Sequence, residues 1–481
     1  MAQLKDCTSN FYSGLCGVNV VIDPQSTNIE SNNDKVLIIG QRSDDGTADG
    51  LYKVIEDTRG ELFGSNSMLN RMIDEFKDIS PKAEIWAYAL PNNGTASTAT
   101  MTVTGVDTAR SSGNIYFWVN GQIYQVSFDP DQDTNESVAS KIQSVISATN
   151  ETLLATTNNN VVTVETLIKG QIGSFLDVRS SYGRRQDKRS SSEVILDVKV
   201  KRGDGLPDLS SIKNVAEGFE FVINPYTDDN SIQNVAAYLC GQWSGGANSR
   251  AFGVFYGSAT EAQALGTNAN NALLSYMAIK GALTPSYLET ASYGAKAYNR
   301  LNSASNEIAM SLTGTVMPAM LAPEVADLYK NEEKAALVSS GIGYFDINRI
   351  NEVVIGRAVT TYTTDETGSI DISLQDVNKP SQIAYLSRYL RERLTAKYTG
   401  YALRRDGVVG AASKKVVTLV GVRNYVISLA NHLSDLNLIQ DMDGFSESLN
   451  VSLNESGCIE LTVDPELVDQ FCCLTVTLNT I

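Results

Sequence analysis

Two rhythms of apolar residues divide this chain. The first opens with Lys35-Val36-Leu37-Ile38-Ile39-Gly40, an unbroken apolar run that predicts a buried strand ending in a glycine turn. From Ser67 to Phe76 the apolar residues Met68, Leu69, Met72 and Phe76 share one helical stripe, and Ala83 to Leu90 reads as a second buried strand. Strand, helix and strand in close succession predict an α/β layer. At Pro91-Asn92-Asn93-Gly94 the rhythm becomes alternating. Thr102-Val103-Thr104 and Ile115-Tyr116-Phe117-Trp118-Val119 read as strands, and Asn120-Gly121 between apolar runs predicts a hairpin that returns over Gln122 to Phe128. A helix follows from about Asn135 to Ala148, with Val138, Ile142, Val145 and Ile146 inward. Strands at Asn160 to Glu165 and Glu193 to Val200 flank a basic stretch, Arg179 to Arg189, and the block closes on Gly203-Asp204-Gly205.

The layered rhythm resumes at Phe219 to Pro225. Helix 229–242, strands Ala251 to Tyr256 and Leu273 to Ile279, and helix Pro285 to Tyr298 alternate as an α/β sheet requires. A helix from Asn331 to Val338, strands around Tyr344 and Val353, and two long helices, 380–399 and 416–433, complete this region. The ends differ: Cys16, Val18, Val20 and Ile22 alternate, as do Ile459, Leu461 and Val463, then Cys472, Leu474, Val476 and Leu478. Strand-forming segments at both ends lack neighbours in sequence and need a sheet elsewhere to join. The predicted class is therefore α/β (α+β), a layered core built from both ends of the chain with an inserted, mostly-β domain and extended terminal arms. The predicted division is an arm at 1–34, core at 35–93, the inserted β-rich domain at 94–203, the rest of the core at 204–446, and a strand-forming arm at 447–481.

Composition narrows the function. Lys and Arg number 38 against 55 Asp and Glu, a formal net charge of −17, which speaks against an extended nucleic-acid surface, since that affinity rests on Lys and Arg. The longest apolar run, Ile85 to Leu90, falls far short of the ~20 residues that cross a bilayer, so no membrane insertion is expected. Met1 to Asp6 lacks the apolar stretch of a signal peptide, and the expectation is a protein made and kept in the cytosol. A single histidine, His432, on an amphipathic helix, excludes a His-rich metal site and leaves little room for Ser-His-Asp or Cys-His chemistry. Gly241-Gln242-Trp243-Ser244-Gly245 has its serine one place late for a nucleophile elbow, and Gly341-Ile342-Gly343 lacks the third glycine of a dinucleotide loop. Asp129-Pro130-Asp131-Gln132-Asp133 has the alternating carboxylates of a calcium loop. However, Thr134 stands where the turn needs Gly and Ser140 where the bidentate Glu belongs, so it reads as an acidic turn before a helix. Asp441-Met442-Asp443-Gly444 reads as a turn.

Three stretches, in this order, carry a resemblance that runs from about Lys35 to the C-terminal helices. They are Asn114 to Val126 with the helix after it, Phe221-Val222-Ile223-Asn224-Pro225-Tyr226-Thr227, and Ile355 to Thr361 leading into Tyr362-Thr363. Together they resemble the tail sheath proteins of contractile-tailed bacteriophages, in the Mu-like branch. The last is similar to that family's Ile-Thr-Thr-Tyr strand, with Val359 in place of the Ile.

The resemblance implies a virion structural protein with neither active site nor cofactor, assembled in the host cytoplasm into the virion tail. Its subunits would form hexameric rings stacked around an inner tail tube, with baseplate and tail terminator proteins as further partners, and would contract to drive the tube through the host envelope. It also implies that the arms add strands to neighbouring subunits, which assigns that role to Val18, Val20 and Ile22 at one end and to Leu474, Val476 and Leu478 at the other. Between Arg388 and Arg405 six basic residues stand against Glu392 alone, on the helix face opposite Ile383, Leu386, Leu390 and Leu394. The expectation is that Arg388, Arg391, Lys397 and Arg404, or Lys414 and Lys415 before the next helix, touch an acidic inner tube, against the alternative of an ordinary solvated face. If arms of different subunits meet on one sheet, alternation leaves Cys7, Cys458 and Cys473 on the polar side as candidates for interchain disulfides, Cys7 pairing with Cys473 or Cys458. Two rival readings stay open: a β-rich adhesin or capsid-like binding protein, favoured by the Thr-rich insertion, and a hydrolytic enzyme with an acidic pair.

Overall fold

The computed structural model describes residues 18–21, 34–182, 188–245, 248–303, 305, 307–365, 367–404, 406, 415–453 and 459–470. In chain order it begins with β1 (Val18–Val21), β2 (Lys35–Gln41), β3 (Gly50–Lys53), α1 (Glu56–Phe63), α2 (Met68–Ile79) and β4 (Glu84–Leu90). Next come β5 (Ala96–Thr104), β6 (Gly113–Val119), β7 (Gln122–Phe128), α3 (Asn135–Thr149), β8 (Leu153–Asn158), β9 (Val161–Lys169), β10 (Val178–Arg179) and β11 (Ile195–Lys201). These are followed by β12 (Phe221–Ile223), α4 (Asp229–Gly245), β13 (Arg250–Tyr256), α5 (Ala259–Ala269), β14 (Leu274–Ile279), α6 (Ser286–Leu301), α7 (Asn331–Ser339), β15 (Gly343–Ile347) and β16 (Val353–Arg357). The chain finishes with α8 (Asn378–Tyr398), β17 (Ala402–Leu403), β18 (Val416–Val417), α9 (Leu419–Asp435), α10 (Met442–Ser448), β19 (Asn450–Leu453) and β20 (Ile459–Val463).

The unbroken apolar runs become the centre of an eight-stranded sheet ordered β16-β15-β14-β13-β12-β2-β4-β3. Neighbours from β4 to β15 are parallel, and only β3 and β16 at the rims run antiparallel. Parallel strands covered by helices are buried on both faces, which is why Val36 to Ile39 and all of β14 are buried without alternation. Gly40, next to last in β2, lets α2 cross closely there: a Cβ would lie 3.1 Å from the Leu69 Cα. Helices α2 and α6 pack on each other and on β2, β12 and β13, whereas α4 and α5 pack with β13 and β14.

The sheet winds outward in both directions from the β2/β12 boundary, and in open α/β sheets the crevice beyond the carboxyl ends at such a boundary is the usual ligand position. Here the chain itself fills it. Gln41, the last residue of β2, is fully buried, and a Cβ on Gly173 would come within 2.9 Å of its side-chain oxygen.

Residues between Gly94 and Gly205 gather a second hydrophobic cluster, including Met101, Phe117, Val126, Ile142, Val162 and Leu196. It lies between the four-stranded sheet β11-β5-β9-β8, the three-stranded sheet β10-β6-β7 and α3. The Asn120-Gly121 hairpin forms, with both residues at positive φ, as the turn that follows strand twist requires. The outgoing and returning chains touch: Thr95 N donates to Asp204 O at 2.7 Å, and a Cβ on Gly205 would come within 2.7 Å of the Gly94 Cα. Both glycines have φ near +100°, so they meet two requirements at once, close approach and left-handed backbone.

The helix expected at 229–242 runs to Gly245, and those expected at 380–399 and 416–433 lie at Asn378–Tyr398 and Leu419–Asp435. Several elements carried no periodic signal in the sequence. In β8 only Leu153 and Ala155 are buried, and Leu154 on the exposed side breaks the alternation. Helix α5 buries Ala259, Ala262, Leu265 and Ala269, small side chains that hydropathy underweights. Asp441-Met442-Asp443-Gly444 is a helix start, not a free turn: the Asp441 carboxylate accepts from Asp443 N and Gly444 N and caps α10. The acidic run at Asp129 is a closed turn, with Asp133 bound to the Asp129 amide, to Ser137 and, at 2.7 Å, to Lys141.

Because the two crossings meet at Gly94 and Asp204, replacing residues 95–203 by a short Gly/Ser linker should leave a soluble core that unfolds cooperatively in a thermal scan. An insoluble product, or one melting without a cooperative transition, would mean that the eight-stranded sheet needs the excised block.

Candidate assembly surfaces

The two chain ends meet in a separate three-stranded sheet, β1-β20-β19. Alternation decides its faces: in β20 Leu461 and Val463 are buried, whereas Glu460 and Thr462 are exposed. Antiparallel register sets Val18 opposite Val463 and Val20 opposite Leu461. Among the described residues no strand lies beyond β1, so β1 is the edge of the sheet that they form. β1 lies against α8, and β19 against α9. The sheet residues expected at Val18 and Val20 are thus joined to β20 of the same chain, while Ile22, Leu474, Val476 and Leu478 lie outside the described residues.

Helix α8 buries Ile383, Leu386, Leu390 and Leu394, as its apolar stripe requires. Its basic side is solvated in part, with Arg393 and Lys397 exposed. Arg388 is turned inward: its guanidinium bonds to Asp34 and, at 3.2 Å, to Glu220. Asp34, only 2% exposed, also accepts from Ser303 N at 2.9 Å and Ser303 Oγ at 2.6 Å. Glu220 accepts from Lys35 N at 2.7 Å. Arg250, buried beside them, lays its guanidinium over the Phe221 ring at 4.7 Å. Asp34, Glu220 and Arg250 open or precede β2, β12 and β13, so the cluster closes the amino end of the parallel strands. Burial drives Glu220 up to about 7, reinforced by the Asp34 charge and opposed by Arg388. Burial also lowers Arg250, to about 10. Arg388 feels the same burial, but Asp34 and Glu220 outweigh it and hold its pKa above the ordinary value.

The other basic residues named as tube contacts have different surroundings. Arg391 is half-buried and its pKa is lowered, chiefly by that burial. Lys397 is exposed with Nζ 3.2 Å from the centre of the Tyr425 ring, and Arg393 lies over Tyr389 at 5.3 Å. Tyr389 in turn neighbours His432, exposed on α9. Arg404 is half-buried, Lys415 is exposed, and Lys414 lies outside the described residues. Sequence reasoning missed Asp34, Glu220 and Arg250. The available signal was a charged residue at the mouth of each buried apolar run, where an ion must find a partner. Cys7, Cys458 and Cys473 also lie outside the described residues; Cys240, on α4, is disulfide-bonded. Among the described residues no group of three or more His, Cys, Asp and Glu gathers as a metal site, and no helix is long and apolar enough to cross a membrane.

Removing one partner of a buried ion group leaves the others uncompensated, so Arg388→Glu should cost about 3–5 kcal/mol in denaturant unfolding. Lys415→Glu, on an exposed side chain, should stay within about 0.5 kcal/mol. Equal, small effects would show that Arg388 is a surface residue. Glu220 makes a second, pH-dependent prediction. Its folded pKa, about 7, lies above its ordinary 4.5, so its stabilising contribution is complete below 4.5 and is lost as pH rises through 7. Thermal midpoints of the native chain should therefore fall relative to Glu220→Gln between pH 5 and pH 8, whereas parallel curves would place Glu220 in an ordinary, solvated setting.

No family model matches the chain. Among solved structures, the sheath tail protein Lin1278 from Listeria innocua aligns over 93% of this chain and 94% of its own, with a TM-score of 0.47 and 12% identity. A chain of the anti-feeding prophage baseplate aligns over 56% of this chain and 73% of its own, with a TM-score of 0.36 and 14% identity. Similarity that low carries no inference about this chain. The sequence comparison is stronger: the chain is 26% identical, over 449 residues that span 91% of both proteins, to the Mu-like prophage FluMu tail sheath protein of Haemophilus influenzae. The chain is thus a homologue, across nearly its whole length, of a Mu-like prophage tail sheath protein.

Proposed function

We propose that this protein is the sheath subunit of a contractile phage tail. The observation that supports it best is similarity over 91% of both chains to a tail sheath protein, in a chain whose first and last described strands meet in one small sheet with β1 at its edge among the described residues. The chain is a structural protein and not an enzyme, as its homologue is. Subunits polymerise into hexameric rings stacked around an inner tail tube, meet the baseplate at one end and a terminator protein at the other, and assemble in the host cytoplasm before serving in the virion. Residues 35–93 and 204–446 form the core of each subunit, 94–203 an inserted domain, and 1–34 and 447–481 the arms. Contraction is the relaxation of a metastable packing, needing no nucleotide, and it drives the tube through the host envelope for genome ejection.

In this reading the edge at β1 takes a strand from a neighbouring subunit, with Val18, Val20 and Ile22 of one chain and Leu474, Val476 and Leu478 of another supplying the alternating apolar side chains. Main-chain hydrogen bonds made by strand addition survive rigid rotation of the bodies they join. Cys7, Cys458 and Cys473 would cross-link such arms once the virion leaves the reducing cytosol. Arg391, Lys397, Arg404, Lys414 and Lys415 are the tube-facing residues. Arg388 is withdrawn from that set, since its guanidinium is spent on Asp34 and Glu220.

Electron microscopy of the purified full chain tests the reading. Tubes or stacked rings are expected, and a variant lacking residues 1–33 should stay folded yet fail to form them. A full chain that remains dispersed under all salt conditions would overturn it.

A further inference from the structure

Both ends of the described chain are fastened to one helix. At the start of α8, Lys379 Nζ donates to the Leu467 carbonyl at 3.1 Å and pairs with Asp469 at 2.6 Å. Gln382 Nε2 donates to the Val468 carbonyl at 3.1 Å, and Gln470 bonds to Asn378. In the middle of the same helix Arg388 holds Asp34, the residue just before β2, and β1 lies against the helix as well. The two fastenings are about nine residues apart, or about 13 Å of helix. Between and just beyond them α8 presents Ile383, Leu386 and Leu390 to the main core, so it has a fixed seat and moves as one body.

We infer that α8 is a shared anchor that couples the two chain ends: loosening either fastening shifts the helix in its seat and weakens the other. The amino-terminal fastening is an ion cluster that tolerates little displacement, because charge moved out of hydrogen-bond range inside the protein is left unpaired. The carboxy-terminal fastening uses backbone carbonyls of 467 and 468, held from their other side by Val468 N to Leu438 O at 3.2 Å and Gln440 N to Glu466 O at 3.0 Å. Any force or ligand that displaces α8 therefore reaches both termini together. The inference stands on contacts within one chain and does not depend on the sheath reading.

Native-state amide exchange on the full chain, kept unassembled, tests it. Lys379→Met combined with Gln382→Ala removes the Lys379 and Gln382 bonds of the carboxy-terminal fastening, leaves Gln470 on Asn378, and touches no bond of the amino-terminal one. The amides that report the other one are Lys35 N, bonded to Glu220, and Ser303 N, bonded to Asp34. Coupling predicts that these exchange roughly fivefold faster or more, the usual lower scale of intramolecular coupling, while amides of β5, β9 and β11 in the second cluster stay unchanged. The reciprocal variant, Arg388→Met, should speed Val468 N and Gln440 N by a similar factor. Acceleration confined to the fastening that was cut would overturn the inference, and so would a uniform rise that includes β5, β9 and β11. If Arg388→Met does not fold, the Lys379/Gln382 variant decides the question alone.

Discussion

Arg388 between two buried carboxylates is the contact around which the rest of this structure is arranged. A guanidinium can satisfy Asp34 and Glu220 together only because its donors fan out in one plane, and the carboxylates can be buried only because it is there. Such a group adds little net stability over apolar residues of the same size, since desolvation consumes most of the attraction. What it adds is position. It fixes where β2 and β12 begin, ties the segment after α6 to them through Ser303, and sets α8 across the amino edge of the parallel strands.

With α8 fixed, the chain ends have a place to go. The terminal sheet packs beside α8 and α9, so residues separated by more than 400 positions become strand partners. Among the described residues that sheet has three strands with β1 at one edge, and a strand edge is a template on which further strands can pair. At the opposite edge of the parallel strands, the crevice where an α/β enzyme would hold its ligand is occupied by the Gly170 to Gly173 turn over Gln41. The two ends of one sheet are thus both used for structure, one to seat the chain termini and the other to seat the inserted block.

The elements that carry these roles differ in how openly they were written. Runs such as Val36 to Ile39, the stripe of Met68, Leu69, Met72 and Phe76, and the Asn120-Gly121 turn each hold their signal within a few residues, so they could be read directly. The alternation of Leu461 and Val463 placed them on the buried face correctly, and that of Val18 and Val20 identified a strand. Helix α8 was legible as an amphipathic helix, yet the role of its basic side was not. Periodicity assigns Arg388 to the face away from Leu386 and Leu390, but it says nothing about a second surface arriving at that face with two carboxylates.

The sequence by itself therefore determined the local order: which segments are strands or helices, which side of each is apolar, and that no familiar catalytic or metal-binding pattern is spelled out. Those properties depend on neighbours one to four residues away. Tertiary structure alone decided that Asp34, Glu220, Arg250 and Arg388 share one buried site, and that the first and last described strands lie in one sheet. The physical reason is that the energy of a charge depends on what surrounds it in space. A lysine or arginine on a helix reads the same in sequence whether it faces water, as Lys415 does, or completes a buried ion cluster, as Arg388 does.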